Sequence, residues 1–400
     1  MKVGVDLTNL SEEYSGGVAT FSFGLVKGLS KLSSEILVFS TYENYAFLET
    51  QFANYSVKVV PVNLGRARPL FFKTFRLIAA VIKNYKLINF LDGIVPSKIS
   101  RDIENLVDVL LAPTVTLQFP AIRIPTILCI HDIQQEFYPQ NFSLKIRMAR
   151  WVSYRVSCWS ASLVQASSLY IKECLLNKFQ FIHPDNIFVA FEGVDFQAFK
   201  GKSTNECLEA PSTFPKSKFL FYPAQLWPHK NHMMLLDSLA IFRDKNGYEI
   251  DCVLTGQDYG SLKGVEHKIK TLALSKVHYL GRVSMDRMIW LYSNCAAVLA
   301  LGTHESSSLA VREGALFGKP IICSAIPPNE EVQEFLNVWL TSSSNPDQLE
   351  EKFERLFIHH SSKILEWFAM NEEKVKKFNW DEIAKIYFEK MLYLTSKNYD

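Results

Sequence analysis

Four hundred residues, 48% of them hydrophobic and 21% charged, describe a globular chain long enough for two domains and a large core. A net charge of +2 excludes a protein-wide nucleic-acid footprint, and no apolar run approaches the roughly 18 residues of a membrane span. Seven scattered cysteines without metal-ligand spacing fit a reducing cytoplasm rather than a disulfide framework, and the opening MKVGVDLTNL, interrupted by Asp6, lacks the pattern of a secretory leader.

In chain order, Lys2–Leu7 reads as a first strand and Val18–Leu32 as an amphipathic helix, with Ser15-Gly16-Gly17 at the turn between them. Two glycines permit close approach of backbone to a ligand, and equally make an ordinary turn. Strands are predicted at 36–40, 57–62 and 107–111. Between the last two, Gln51 to Leu91 contains no Asp or Glu, and Lys58, Arg66, Arg68, Lys73, Arg76, Lys83 and Lys86 alternate with Leu and Phe. That stretch is either a core helix with a solvated basic face or a basic amphipathic helix touching an anionic membrane through 65–90. Thr126–Ile130 is a buried-type strand ending in His131-Asp132, where a lone histidine serves structure as readily as chemistry. A basic helix with Lys145, Arg147, Arg150 and Arg155 follows, then SLVQASSLYIKECL as a strand entering a capped helix, a strand at 187–190, and Glu192-Gly193-Val194-Asp195. Residues 201–217, rich in Ser, Thr, Pro and Lys, read as a linker.

A strand at 218–222 enters the loop Pro223-Ala224-Gln225-Leu226-Trp227-Pro228-His229-Lys230-Asn231-His232, in which Lys230 taken alone is a surface lysine. A strand at 251–254 ending in Thr255-Gly256, a helix at 259–274, a strand and turn at 277–283 and a helix at 284–292 come next. The run AAVLALGTHESSSLAVREGALFGKPII then gives a strand at 297–301, a loop, and a helix at 309–317 that stops at Gly318. A loop after a parallel strand lies at the carboxyl edge of its sheet, where open α/β folds bind ligands. Ser306, Ser307 and Ser308, with the backbone N–H groups up to Leu309, stand at a helix start and suit a phosphate. Glu305 and Glu313 flank that mouth and can accept paired hydrogen bonds from vicinal hydroxyls. By position alone they are equally a dipole-favoured acid and a solvated one. A helix opening at Phe378-Asn379-Trp380-Asp381 closes the chain.

Glu305 and Glu313 with seven residues between them, followed by Gly-Ala-Leu-Phe-Gly-Lys-Pro, resemble the E-x7-E signature of retaining GT-B glycosyltransferases of family 4. The resemblance runs from Lys2 to about Leu394 and implies an α/β chain of two Rossmann-like domains facing across a cleft. These are an acceptor-side domain at 1–200, a nucleotide-sugar domain at 218–377, and a terminal helix at 378–400 that packs back on the first. The implied activity is transfer of a hexose, with retention, from a nucleotide diphosphate sugar to a glycan or lipid-linked acceptor. Its setting would be cell-surface polysaccharide synthesis, in the cytoplasm or at the inner face of the plasma membrane. Glu305 then contacts the transferred sugar, Glu313 the ribose and Lys230 the diphosphate. Gly16 and Gly17 lie near the donor phosphates, Arg282 and Val283 near the base, and His131 faces donor sugar and acceptor with Asp132 on the acceptor side. The chain departs from the family at Gln225, where an arginine is usual, at Ser306–Ser308, where Gly-Phe-Gly is usual, and at Glu192, where an asparagine is usual. No Asp-x-Asp run offers a divalent-metal site, and no cofactor is implied beyond the donor substrate. The same fold and donor site also serve a sugar-nucleotide epimerase or a catalytically silent sugar-nucleotide-binding homologue.

Overall fold

The computed structural model describes residues 1–11, 16–33, 35–64, 98–119, 122–200, 218–359 and 361–396. Ser15, the basic stretch at 65–90 and the linker at 201–217 lie outside the described residues. The chain forms two compact units, Met1–Gly193 joined by Trp380–Asp400, and Val194–Asn379. Val194–Lys200, read from sequence with the first domain, therefore belongs to the second. There the Val194 N–H donates to the Phe378 carbonyl at 2.8 Å, and Phe199 packs edge-on against Tyr292 and Phe317.

The first unit is a seven-stranded sheet of β1 (Val3–Asp6), β2 (Ile36–Ser40), β3 (Val57–Pro61), β4 (Val109–Ala112), β5 (Thr126–Ile130), β6 (Leu163–Ala166) and β7 (Ile187–Val189), ordered β3-β2-β1-β4-β5-β6-β7. All its pairings are parallel. Its central strands are apolar nearly throughout and wholly buried, which is what helices on both faces of a parallel sheet require.

The helix Gly17–Leu29 presents Gly24 and Gly28 to the returning helix Trp380–Ser396. A Cβ on Gly24 would stand 2.1 Å from the Trp380 indole, one on Gly28 2.5 Å from the Trp380 carbonyl, and one on Gly193 2.5 Å from the indole ring. Three glycines thus form a slot for one tryptophan, and Phe21 meets its ring edge-on at 5.4 Å. A Lys31–Asp381 pair at 2.7 Å, near the exposed end of the contact, adds little.

The second unit is a six-stranded parallel sheet of β8 (Phe219–Pro223), β9 (Asp251–Thr255), β10 (Val277–Tyr279), β11 (Ala297–Ala300), β12 (Ile321–Ser324) and β13 (Trp339–Thr341), ordered β10-β9-β8-β11-β12-β13. The helix expected from residue 259 begins only at Leu262. The Asp258 carboxylate accepts from the N–H groups of Gly260, Ser261 and Leu262 at 2.8, 3.0 and 3.1 Å, which fixes a turn ahead of the helix. Both sheets have the Rossmann-like order, and in each the winding reverses beside the unit's first strand, between β1 and β4 and between β8 and β11. The six cysteines among the described residues are free and buried, and no described helix is long and apolar enough to cross a membrane.

Candidate active site

The two neighbouring strands at the second unit's switch point, β8 and β11, each run into one of the loops singled out from sequence. Their adjacency brings Lys230 and Glu305 together: Nζ donates to Oε1 at 2.6 Å, with the two side chains 22% and 12% exposed. Neither residue is the isolated surface group that its position alone suggests. The loops are also tied through their backbones, with Thr303 N–H donating to the His229 carbonyl at 2.7 Å. The buried Tyr222 hydroxyl donates to the Lys230 carbonyl. Asn231 turns the chain through a left-handed conformation, φ 58°, and its amide reaches the Ser343 carbonyl at 2.8 Å. Gly302 leaves room for the arrangement, because a Cβ there would stand 2.4 Å from Glu305 Oε1. One lysine hydrogen is spent on Glu305, and two remain for a ligand.

Gln225 lies on the same β8 loop, and its Oε1 accepts from Trp227 Nε1 at 3.1 Å. That contact occupies the amide oxygen and leaves the NH2 as the side chain's donor, at the position where the resemblance expects an arginine. His232 is buried with neither ring nitrogen partnered, and burial, with Lys230 nearby, lowers its pKa to about 4. It is a neutral ring beside the lysine.

The serine run is arranged differently from the expectation of three phosphate-facing hydroxyls. Ser307 Oγ accepts from the fully buried Arg312 at 2.6 Å, and Ser308 Oγ donates to the fully buried Asn329 at 2.6 Å. Asn329 is anchored in turn on the Ser324 carbonyl at 2.9 Å. Two of the hydroxyls therefore brace the loop from behind, and what the helix Leu309–Leu316 offers an anion is its first-turn backbone N–H groups and its dipole. The Arg312 guanidinium lies over Phe378, 5.0 Å from the ring centroid, so this start is backed by a positive charge within the unit.

Glu313 is not the solvated acid of the alternative reading. It is half-buried and accepts a hydrogen bond from the hydroxyl of Tyr292, itself fully buried and stacked on Phe317 at 5.3 Å. Burial raises its pKa to about 7, opposed by the Tyr292 hydrogen bond. The unfolded chain holds this proton only below about 4.5, so ionising Glu313 costs stability progressively between 4.5 and 7, in full above that window. Glu313→Gln is accordingly expected to melt higher than the parent at pH 8, by on the order of 2–3 kcal/mol, and level with it near pH 4.5. Thermal melts without nucleotide across that range check this, and parallel curves would remove the perturbed carboxylate.

Gly281 adopts φ +63° in the turn after β10, where Arg282 is exposed and Val283 half-buried. In the first unit, His131 follows β5 and is buried. Its Nε2 donates to the Pro113 carbonyl at 2.8 Å, while Nδ1 faces Glu192 Oε1 at 3.6 Å. Both nitrogens therefore meet protein groups, and Nδ1 is the one without a close hydrogen bond. Glu192, buried where the resemblance expects an asparagine, supplies a carboxylate there. Asp132 is half-buried and adds to the raised pKa of Tyr170, which burial mainly pushes up to about 12. Gly16 is extended and Gly17 opens its helix, both with open space where a Cβ would stand.

Residues 206–364 match the family model described as Glycosyl transferases group 1. That stretch is similar to glycosyl transferases group 1. It holds Lys230, Glu305, Glu313 and the loops that carry them. The chain is 24% identical over 271 residues to the O-antigen chain mannosyltransferase RfbU of Salmonella typhimurium, covering 67% of this chain and 69% of that one. It is 22% identical over 382 residues to an uncharacterized glycosyltransferase, MJ1178, of Methanocaldococcus jannaschii, covering 94% and 95%. Among solved structures it superposes on Anabaena Alr3699/HepE in complex with UDP and glucose with a TM-score of 0.69 at 18% identity, over 98% of this chain and 100% of that one. The fold is thus two Rossmann-like domains with GT-B glycosyltransferases as structural neighbours. Tyr292, Arg312 and Asn329, which hold Glu313, Ser307 and Ser308 in place, carry no motif of their own in the sequence.

Proposed function

We propose that the protein is a retaining glycosyltransferase that moves a hexose from a nucleotide diphosphate sugar to a glycan or lipid-linked acceptor in polysaccharide synthesis. The observation that carries this reading is the pairing of Lys230 with Glu305 at the β8–β11 switch point, beside a braced helix start and a second carboxylate, Glu313. Each element meets a demand of the reaction. The departing diphosphate gains negative charge, which Lys230, the Gln225 amide and the N–H groups at Leu309 can neutralise. Glu313 suits the ribose diol, and Glu305 suits a sugar hydroxyl while holding the lysine at the leaving group. His131, Asp132 and the Gly16-Gly17 backbone serve the acceptor side and donor phosphates, and Arg282 and Val283 serve the base. Protein groups supply the charge that a metal supplies elsewhere, so turnover is expected to survive EDTA. The related mannosyltransferase of O-antigen chains and the UDP- and glucose-bound neighbour support the choice of a hexose and a nucleoside diphosphate.

Glu313→Ala is expected to weaken nucleoside diphosphate binding by about 1.5–3 kcal/mol, the worth of a charge-assisted hydrogen bond. Glu305→Ala is expected mainly to slow transfer, because its contacts tighten as the sugar develops charge. Thermal shift against UDP, GDP, ADP and their sugars identifies the donor, and kinetics with and without acceptor separate transfer from hydrolysis or epimerisation. Wild-type constants in both variants would end the assignment.

A further inference from the structure

After His131 the chain makes two short 3-10 turns, Gln134–Glu136 and Pro139–Asn141, and then enters the helix Leu144–Ser160. Between them lies a cavity of about 430 Å³, with Pro139, Leu144, Met148 and Trp151 as its apolar wall and Arg147 among its lining residues. Gln135 also lines it, is 6% exposed, and has no hydrogen-bond partner for either amide atom. Glu136 also borders the cavity, but its two oxygens are held by Arg155 at 2.8 and 3.2 Å, so it does not repel an anion as a bare carboxylate would.

The helix that forms one side is unusual for a soluble surface. Residues 144–149 are all exposed, including the apolar Leu144 at 67%, Ile146 at 46% and Met148 at 48%. The whole helix lacks an acid, and Lys145 and Arg147 are exposed on the same turns, with Arg150 half-buried one turn on. Apolar side chains around a cationic mouth call for a ligand with a hydrocarbon part and an anionic head.

We propose that this cavity binds a phosphate-headed amphiphile. The hydrocarbon lies against Leu144, Met148, Trp151 and Pro139, and the phosphate meets Arg147 with Lys145 and Arg150 adding to the field. Identifying that ligand with the lipid-linked acceptor rests on the glycosyltransferase reading; the cavity assignment itself does not. Two sources share the chemistry, a lipid-linked substrate and an anionic bilayer lipid.

The test is a tryptophan-fluorescence titration of the full-length chain with farnesyl phosphate, with farnesol and inorganic phosphate as comparators. Saturable binding of farnesyl phosphate is expected, at least about tenfold tighter than either comparator. Arg147→Ala, a change at an exposed residue that leaves the fold in place, should lose that advantage while binding farnesol as before. Met148→Glu should weaken both. Equal affinity of parent and Arg147→Ala for farnesyl phosphate, or no saturable binding, overturns the proposal. Competition by phosphatidylglycerol vesicles but not phosphatidylcholine vesicles assigns the site to the bilayer, and lack of competition by either assigns it to a lipid-linked substrate. Thermal shift with nucleoside diphosphates on the same samples keeps the two readings apart. A nucleotide shift without amphiphile binding sinks this site alone, and the converse sinks the glycosyltransferase reading alone.

Discussion

Lys230→Ala is expected to cut turnover by on the order of a hundredfold or more, the loss seen when a principal electrostatic donor to a developing charge is removed. On the proposed reading, Gln225 stands where the resemblance expects an arginine, which leaves Lys230 as the principal cation for the departing diphosphate. The substitution also strands Glu305, 12% exposed, without its counter-charge, and a half-broken buried pair is destabilising in its own right. The two effects separate by measurement: Lys230→Ala combined with Glu305→Gln shows in thermal melts how much stability the stranded carboxylate costs, and the loss of turnover is read in Lys230→Ala alone, well below its melting temperature. Gln225→Arg should be tolerated or should tighten nucleoside diphosphate binding. Near-normal turnover in Lys230→Ala, or activity abolished by EDTA and restored by magnesium or manganese, would show that another group carries the charge.

Trp380→Ala is expected to destabilise the first unit by about 3–5 kcal/mol, the range for deleting a large buried aromatic. The indole is 5% exposed and fills the slot of Gly24, Gly28 and Gly193, so nothing nearby can collapse into the gap without moving backbone. Gly24→Ala should act in the same direction, since its methyl would overlap a rigid ring. Phe21 touches both Trp380 at 5.4 Å and His131 at 4.4 Å, so loosening the slot should also disturb the histidine. Calorimetry of the full chain is the check: the first unit's transition falls by on the order of 10 °C. An unchanged profile would mean that the slot contributes no stability.

The alternation of apolar strand-length runs with helical spacing made most elements of both sheets legible, because the central strands are buried on both faces and are apolar nearly throughout, while the edge strands, such as Val57–Pro61 with its exposed Lys58, are only partly buried. The neighbourhood of β8 and β11 was not legible from spacing, since Lys230 and Glu305 are far apart in sequence and meet only through strand order. The resemblance named both residues without showing that they pair. Ser307 and Ser308 look like ligand groups in a one-dimensional reading; only the fold reveals Arg312 and Asn329 behind them. The perturbed Glu313 was hidden for the same reason, as its burial and Tyr292 come from another helix. Glu192 was visible as a departure, but its meaning appears only with His131 Nδ1 at 3.6 Å.

The tryptophan slot has a consequence for biosynthesis. Residues through Gly193 leave the ribosome early, yet the segment that seals their slot is translated only after all of Val194–Asn379. At roughly 5–20 residues per second this means on the order of ten seconds or more in which the nascent first unit presents an open apolar groove. A chain truncated before Trp380 would keep that groove open although its second unit had already been made.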